Sequence, residues 1–127
     1  MKDEIAKEWI ERGRHDLDAA KILFAEQKHF DIILFHIHQA VEKYLKAFLI
    51  CYGWNLRKIH DIETLITEAL DFKSELKEYL DFSRELTAYY YEGRYPPGST
   101  TPYSKEEVEK ALETAEDIIK KLEREMT

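Results

Sequence analysis

Residues 31–52 of the chain read DIILFHIHQAVEKYLKAFLICY, and this stretch decides the fold. Its apolar residues recur at spacings of three and four, which is the period of an α-helix and not the alternation of a strand. The stretch contains no Gly or Pro that would interrupt a helix. One face of the predicted helix is broad and apolar, and its members are Leu34, Ile37, Val41, Tyr44, Leu45, Phe48 and Tyr52. A helix with such a face packs against other elements, so the stretch predicts one helix of a packed bundle.

The rest of the chain carries the same spacing, so we predict an all-α protein. The predicted helices cover residues 3–27, 31–52, 61–70, 74–91 and 104–125. Asp31, Asp61 and Ser74 stand where N-caps are expected, and Ser104 followed by Glu107 forms a capping box. Four long helices with short connections predict an antiparallel up-and-down four-helix bundle with a short extra helix, and residues 1–127 form one domain.

Composition limits the possible functions before any motif is considered. The chain has 127 residues, 19 Lys+Arg against 26 Asp+Glu, and a formal charge of −7. This excess of acid argues against a surface that coats nucleic acid broadly, although it leaves a local basic patch open. The single cysteine, Cys51, excludes a disulfide scaffold and a cysteine-based zinc site, and it suits a reducing compartment. No apolar run is long enough to span a membrane. We therefore expect a cytoplasmic protein that makes no membrane contact.

The arc of the 31–52 helix opposite its apolar face mixes charged with apolar residues. Its members are Phe35, His36, Gln39, Glu42, Lys43, Lys46 and Ile50. Lys46 follows Glu42 by four residues, so periodicity alone favours a solvated face with an ordinary surface ion pair. The alternative is a surface that meets another chain or an anionic ligand, with Lys43 and Lys46 as point charges.

A carboxylate, Asp16, lies in the middle of the apolar arc of the first predicted helix. A carboxylate on a buried face is costly unless it is paired or hydrogen-bonded. We therefore expect Asp16 to have a partner. A salt bridge between helices or a bond to a Trp or Tyr is the favoured interpretation, and the alternative is that Asp16 orients a basic residue of a site.

The histidines do not predict a metal site. His36 and His38 diverge by about 200° on a helix, so they do not converge on one metal ion. No Asp, Glu or Cys supports them at a suitable spacing, and we expect neither a metal nor another cofactor. His60 precedes Asp61 at a predicted helix start, where local capping is the favoured role and a role in a site is the alternative.

Residues 89–96 read YYYEGRYP and lead into the one long predicted loop, residues 93–102. Four tyrosines around one arginine are suited to stacking a nucleobase and holding a phosphate. They are equally suited to packing the loop against the bundle, with Arg94 bonded to loop carbonyls or to Asp16. Composition favours packing.

The stretch FHIHQAVEKYLKA at 35–47 resembles the signature helix of the HEPN family, the higher eukaryotes and prokaryotes nucleotide-binding domain. The family pattern reads approximately F-H-A-Q-Q-A-x-E-K-x-L-K-A. Three further features match in order, namely Asp16-Leu17 with Ala20, His60-Asp61 after a Gly-containing turn, and Arg94-Tyr95-Pro96 before the last helix. The resemblance runs from about Trp9 to Leu122. One departure is His38, which stands where the family commonly has Gln.

The resemblance implies an antiparallel helical bundle that dimerises through its helices and binds nucleotides or RNA. Many members are encoded beside a minimal nucleotidyltransferase, and some such pairs behave as toxin and antitoxin. The ribonuclease branch carries an Arg, four to six residues, and then a His. Here Arg12 and His15, like Arg57 and His60, are separated by only two residues, so that motif is absent.

We therefore interpret the chain as a non-enzymatic HEPN domain that forms a homodimer and binds a nucleotide, an RNA or a nucleotidyltransferase partner. The expected ligand-binding residues are Gln39, Lys43, Lys46, Arg94 and Tyr95, and the expected orienting carboxylates are Asp16 and Glu42. One alternative is a metal-independent ribonuclease toxin, for which His60 and Arg94 are the candidate catalytic residues. A second alternative is a purely structural dimerisation module.

Overall fold

The computed structural model describes residues 2–94 and 103–126, and the side chains of residues 4–92 and 103–126. Its helices are α1 (Lys2–Glu26), α2 (Phe30–Cys51), α3 (Ile62–Ala69), α4 (Leu80–Arg94) and α5 (Lys105–Met126), with a 3-10 turn at Ser74–Tyr79 before α4. No strand occurs in these two ranges, which confirms the all-α prediction. Nor does any helix within them have the length and apolarity needed to cross a membrane.

The predicted caps hold at α3 and α5. Asp61 caps α3, because its carboxylate accepts a hydrogen bond from the backbone N–H of Glu63 at 3.1 Å. Ser104 and Glu107 form the reciprocal capping box at the start of α5, with bonds of 3.1 and 3.3 Å. These side chains satisfy backbone N–H groups that the first turn of a helix leaves unpaired.

The predicted N-cap of α2 and the predicted start of the fourth helix are wrong. The N-cap of α2 is not Asp31 but His29, which has a left-handed conformation, and the helix begins at Phe30, a residue that packs against the core. The segment from Ser74 forms a 3-10 turn instead of the first turns of α4. A 3-10 turn places residues three apart on one face, which lets Leu76 and Tyr79 both enter the core.

The helix α2 is the central element of the bundle. It packs most extensively on α1 and also contacts α3, α4 and α5, whereas α1 and α4 touch α5 only slightly. As a result, 14 of its 22 residues are buried. The interpretation of its polar arc as a solvated face is therefore wrong: Glu42 is 2% exposed and Lys46 is 3% exposed.

Candidate functional site

The first of two polar clusters on α2 centres on Asp16 of α1, and we call it the Asp16 cluster. One carboxylate oxygen of Asp16 lies 2.9 Å from Nδ1 of His36, and the other accepts a hydrogen bond from Nζ of Lys43. Since a carboxylate only accepts, Nδ1 of His36 carries the hydrogen. The prediction that Asp16 has a partner is confirmed, and both partners come from α2. The ion pair ties α1 to α2 and fixes Lys43, whose side chain remains 22% exposed.

The second cluster centres on Glu42 of α2, and we call it the Glu42 cluster. Nζ of Lys46 donates to the Glu42 carboxylate at 3.0 Å, and Nδ1 of His60 lies 3.2 Å from both carboxylate oxygens. Burying two charges is costly, and their pairing together with the bond from His60 offsets that cost. The N-cap of α3 is Asp61, so the capping role predicted for His60 is wrong. With Nδ1 held by Glu42, the imidazole side chain is still 54% exposed.

His38 lies beside the Glu42 cluster and has no access to solvent. Its Nδ1 is 3.8 Å from the Glu42 carboxylate, and neither ring nitrogen has a well-formed hydrogen bond within the described part of the chain. Burial lowers the pKa of His38 from 6.5 to about 4, although the backbone of His60 opposes part of this shift. His38 is therefore a neutral core histidine at physiological pH.

Two of the tyrosines near the end of α4, Tyr89 and Tyr90, pack against neighbouring rings, whereas Tyr91 is 56% exposed. Tyr90 is buried and stacks on His38 with ring centroids 4.3 Å apart, and its ring is also near-parallel to those of Phe35 and His60. Tyr89 meets Tyr103 edge to face at 5.5 Å. These contacts support the packing interpretation for Tyr89 and Tyr90. They join α4 to α2 and to the start of α5.

The structure brings only some of the predicted site residues together. Lys43 and Lys46 sit on neighbouring turns of α2, but each is already paired with a carboxylate. Gln39 is half-buried on the same helix. Arg94 ends α4, and its side chain and the whole of Tyr95 lie outside the described residues, so their contacts with the α2 clusters remain predictions.

A cleft of about 430 Å³ next to Lys43 was not predicted from the sequence. Its walls come from α1 and from the segment between α2 and α3, and the lining residues are Ile5, Glu8, Trp9, Arg12, Lys43 and Leu56. By sequence pattern, Trp9 belongs only to the apolar arc of the first helix. No sequence pattern singles out Leu56, because the same connection also contains Trp54 and Ile59.

In the described ranges, no group of three side chains has the arrangement of a metal site.

Similarity to known proteins extends over nearly the whole chain. Residues 6–125 match the HEPN domain family. The chain is 27% identical to "Putative toxin MJ1304" of Methanocaldococcus jannaschii over 128 aligned positions, which cover 90% of this chain and 83% of that protein. The crystal structure of TT1696 from Thermus thermophilus superposes with a TM-score of 0.79 at 26% identity, covering 94% of this chain and 96% of the other. The crystal structure of ST0689, an archaeal HEPN homologue, has a TM-score of 0.76 at 20% identity, with coverages of 96% and 98%.

Proposed function

Because this chain belongs to the HEPN family, we propose that it is a non-enzymatic helical module that forms a homodimer, binds a nucleotide and acts with a nucleotidyltransferase partner. The proposed ligand-binding residues are Gln39, Lys43, Arg94 and Tyr95, and Lys46, which is almost fully buried, is proposed to support them from the interior of the bundle. Asp16 and Glu42 orient the two lysines.

The observation that carries the nucleotide proposal is the position of Lys43. Asp16 holds its ammonium at the edge of an open cleft, where the lysine side chain is partly exposed. A lysine held in place by a carboxylate is ready to bind a phosphate without first losing side-chain entropy. Lys46 is almost fully buried, which suits a role in supporting the site from the interior of the bundle.

Thermal unfolding with added nucleotide tests this proposal. ATP, GTP or AMP is expected to raise the melting temperature of the protein, because a ligand that binds only the folded state stabilises it. Lys43→Ala should remove the shift, whereas Lys120→Ala, which changes an exposed lysine of α5, should leave it unchanged. An unchanged melting temperature with every nucleotide at millimolar concentration contradicts the proposal.

The partner proposal rests on the family and on the relative that is named as a toxin. We propose that the chain is one half of a toxin–antitoxin pair and that the other half is a minimal nucleotidyltransferase. Co-expression with the nucleotidyltransferase encoded nearest to it should yield a stable complex and change the effect of the chain on cell growth. Separate elution of the two proteins, with no change in growth, contradicts this part.

The second candidate function is a metal-independent ribonuclease, which the Glu42–His60 contact favours. A carboxylate bound to Nδ1 orients an imidazole and leaves Nε2 as the nitrogen that exchanges a proton. In this mechanism Nε2 of His60 takes the proton of an RNA 2′-hydroxyl, the 2′-oxygen attacks phosphorus, and the bond from phosphorus to the 5′-oxygen breaks. The 5′-oxygen leaves with a proton from water, a 2′,3′-cyclic phosphate forms, and Arg94 holds the phosphate.

RNA cleavage in the presence of a metal chelator separates the two functions. Cleavage that disappears with His60→Ala and weakens with Glu42→Gln would establish the ribonuclease and overturn the non-enzymatic proposal. RNA that stays intact at a micromolar concentration of the protein would exclude the ribonuclease function.

A further inference from the structure

The cleft beside Trp9 has the size and composition of a small-molecule site. Its volume of about 430 Å³ falls within the range that small ligands occupy in proteins. Ile5 and Leu56 line it and are 49% and 53% exposed, so they offer apolar surface to a ligand. The two residues come from different parts of the chain. Ile5 lies in α1, as Trp9 does, and Leu56 lies in the segment between α2 and α3.

Trp9 is a rigid aromatic wall of this cleft. Its ring packs against a small apolar cluster of Ala6, Ala47 and Ile50. The ammonium of Lys46 also lies 5.3 Å from the centroid of the Trp9 ring, a cation–π distance. Since Lys46 is in turn bonded to Glu42, the Glu42 cluster supports the indole. A ring supported in this way offers a flat surface for stacking at little entropic cost.

The polar groups of the cleft favour an anion. Arg12 and Lys43 face the cleft with one carboxylate, Glu8, in a protein whose overall formal charge is −7. Arg12 is bonded to Glu8 at 3.2 Å, but both side chains are more than 60% exposed, so this ion pair is weak and exchanges readily. Lys43 is held by Asp16, which does not line the cleft.

We propose that this cleft binds a mononucleotide, with the base stacked on Trp9 and the phosphate between Arg12 and Lys43. The inference rests on the proposed nucleotide binding and assigns it a location between α1 and the 52–61 segment. It adds Trp9 and Arg12 to the site and gives Lys46 a positioning role, because Lys46 contacts Trp9 from the interior. We expect binding to require both the base and the phosphate, because Trp9 contacts the base whereas Arg12 and Lys43 contact the phosphate.

Fluorescence of Trp9 tests the location directly. The chain has two tryptophans, so Trp54→Phe leaves Trp9 as the single indole. AMP is expected to quench this fluorescence saturably when indole is excited at the red edge of its absorption. Adenosine should bind at least about tenfold more weakly because it lacks the charge-assisted bonds of the phosphate, and inorganic phosphate should not quench.

A variant of Arg12 completes the test. Arg12→Ala should raise the dissociation constant of AMP about tenfold, as expected for loss of one bond to a charged group. Arg12 is exposed, so this change does not threaten folding. Arg14→Ala is the matched control on the same helix, because Arg14 lines a different cleft with Glu123 and should leave the AMP affinity unchanged.

The outcomes separate the location from the proposed function. If AMP raises the melting temperature but leaves Trp9 fluorescence unchanged, the cleft is not the site and nucleotide binding stands. If adenosine and AMP quench equally, or if Arg12→Ala has no effect, the phosphate contacts are wrong and this inference is overturned. If AMP changes neither quantity, both the inference and the proposed function fail.

Discussion

The buried polar contacts of α2 centre on Glu42. Its carboxylate lies almost fully buried in α2, binds Lys46 and His60, and has His38 nearby. A buried carboxylate with so many polar neighbours is expensive to maintain and gives little net stability. Its arrangement is therefore better explained by what it positions, namely the imidazole of His60 and, through Lys46, the ring of Trp9.

Replacing Lys46 with Met should destabilise the protein by about 3 kcal/mol, because it leaves the Glu42 carboxylate buried without its cation. Arg12→Ala is the matched control. It removes an ion pair with the same four-residue spacing, Glu8–Arg12, that is exposed and should cost at most about 0.5 kcal/mol. Urea unfolding of the two variants measures the difference. Equal losses of stability would show that the burial of the Glu42–Lys46 pair has no energetic consequence.

The buried His38 should make the protein lose stability in mild acid. The unfolded chain protonates this imidazole near pH 6.5, whereas the folded protein does so only near pH 4. The stability that depends on neutral His38 is therefore complete above pH 6.5, falls as the pH drops, and is lost by pH 4. The loss reaches about 3 kcal/mol at about 1.4 kcal/mol per pH unit.

His38→Gln should remove this part of the pH dependence, because an amide does not titrate in this range. Unfolding free energies of both proteins measured between pH 4 and 7.5 give the comparison. Parallel curves for the wild type and the variant would contradict the role given to His38.

At the scale of elements, the close contact of α1 with α2 depends on Gly13. A Cβ placed on Gly13 would lie 2.8 Å from Cδ2 of the buried Tyr44 ring, which is closer than a real Cβ contact allows. Gly13→Ala should therefore lower stability by about 1–3 kcal/mol through overpacking, even though alanine favours a helix by about 1 kcal/mol. Thermal unfolding measures the change. The control, His15→Ala on an exposed position of the same helix, should have little effect. A Gly13→Ala variant more stable than the wild type would contradict this packing.

The helices could be predicted from the sequence, but the environment of α2 could not. A long run with a helical period predicts bounds of 31–52, and the observed helix is Phe30–Cys51. Periodicity assigns the polar arc of this helix to solvent because it describes one helix at a time. The segments that cover this arc are distant in the sequence: His60 reaches Glu42 from 18 residues away, and Asp16 reaches Lys43 from 27. Of these contacts, the sequence predicts only that Asp16 has a partner, because a carboxylate on an apolar face requires one.

For the whole molecule, the charge of −7 and the buried ion pairs point to a small ligand. Lys46 is buried and paired with Glu42, which leaves Lys43 as the one partly exposed lysine in the described part of α2, so this helix does not offer a long basic track for a nucleic-acid backbone. A local site beside one partly exposed lysine is compatible with that charge. We therefore expect a mononucleotide, and not long RNA, as the ligand.

Isothermal titration of AMP into the wild-type protein and into Lys43→Ala tests the central claim most directly. We predict saturable binding to the wild type and a dissociation constant at least about tenfold higher for the variant, since a charge-assisted bond to phosphate is lost. Lys120→Ala should bind as the wild type does. No detectable binding to the wild type, or equal affinity for the wild type and Lys43→Ala, would contradict the claim.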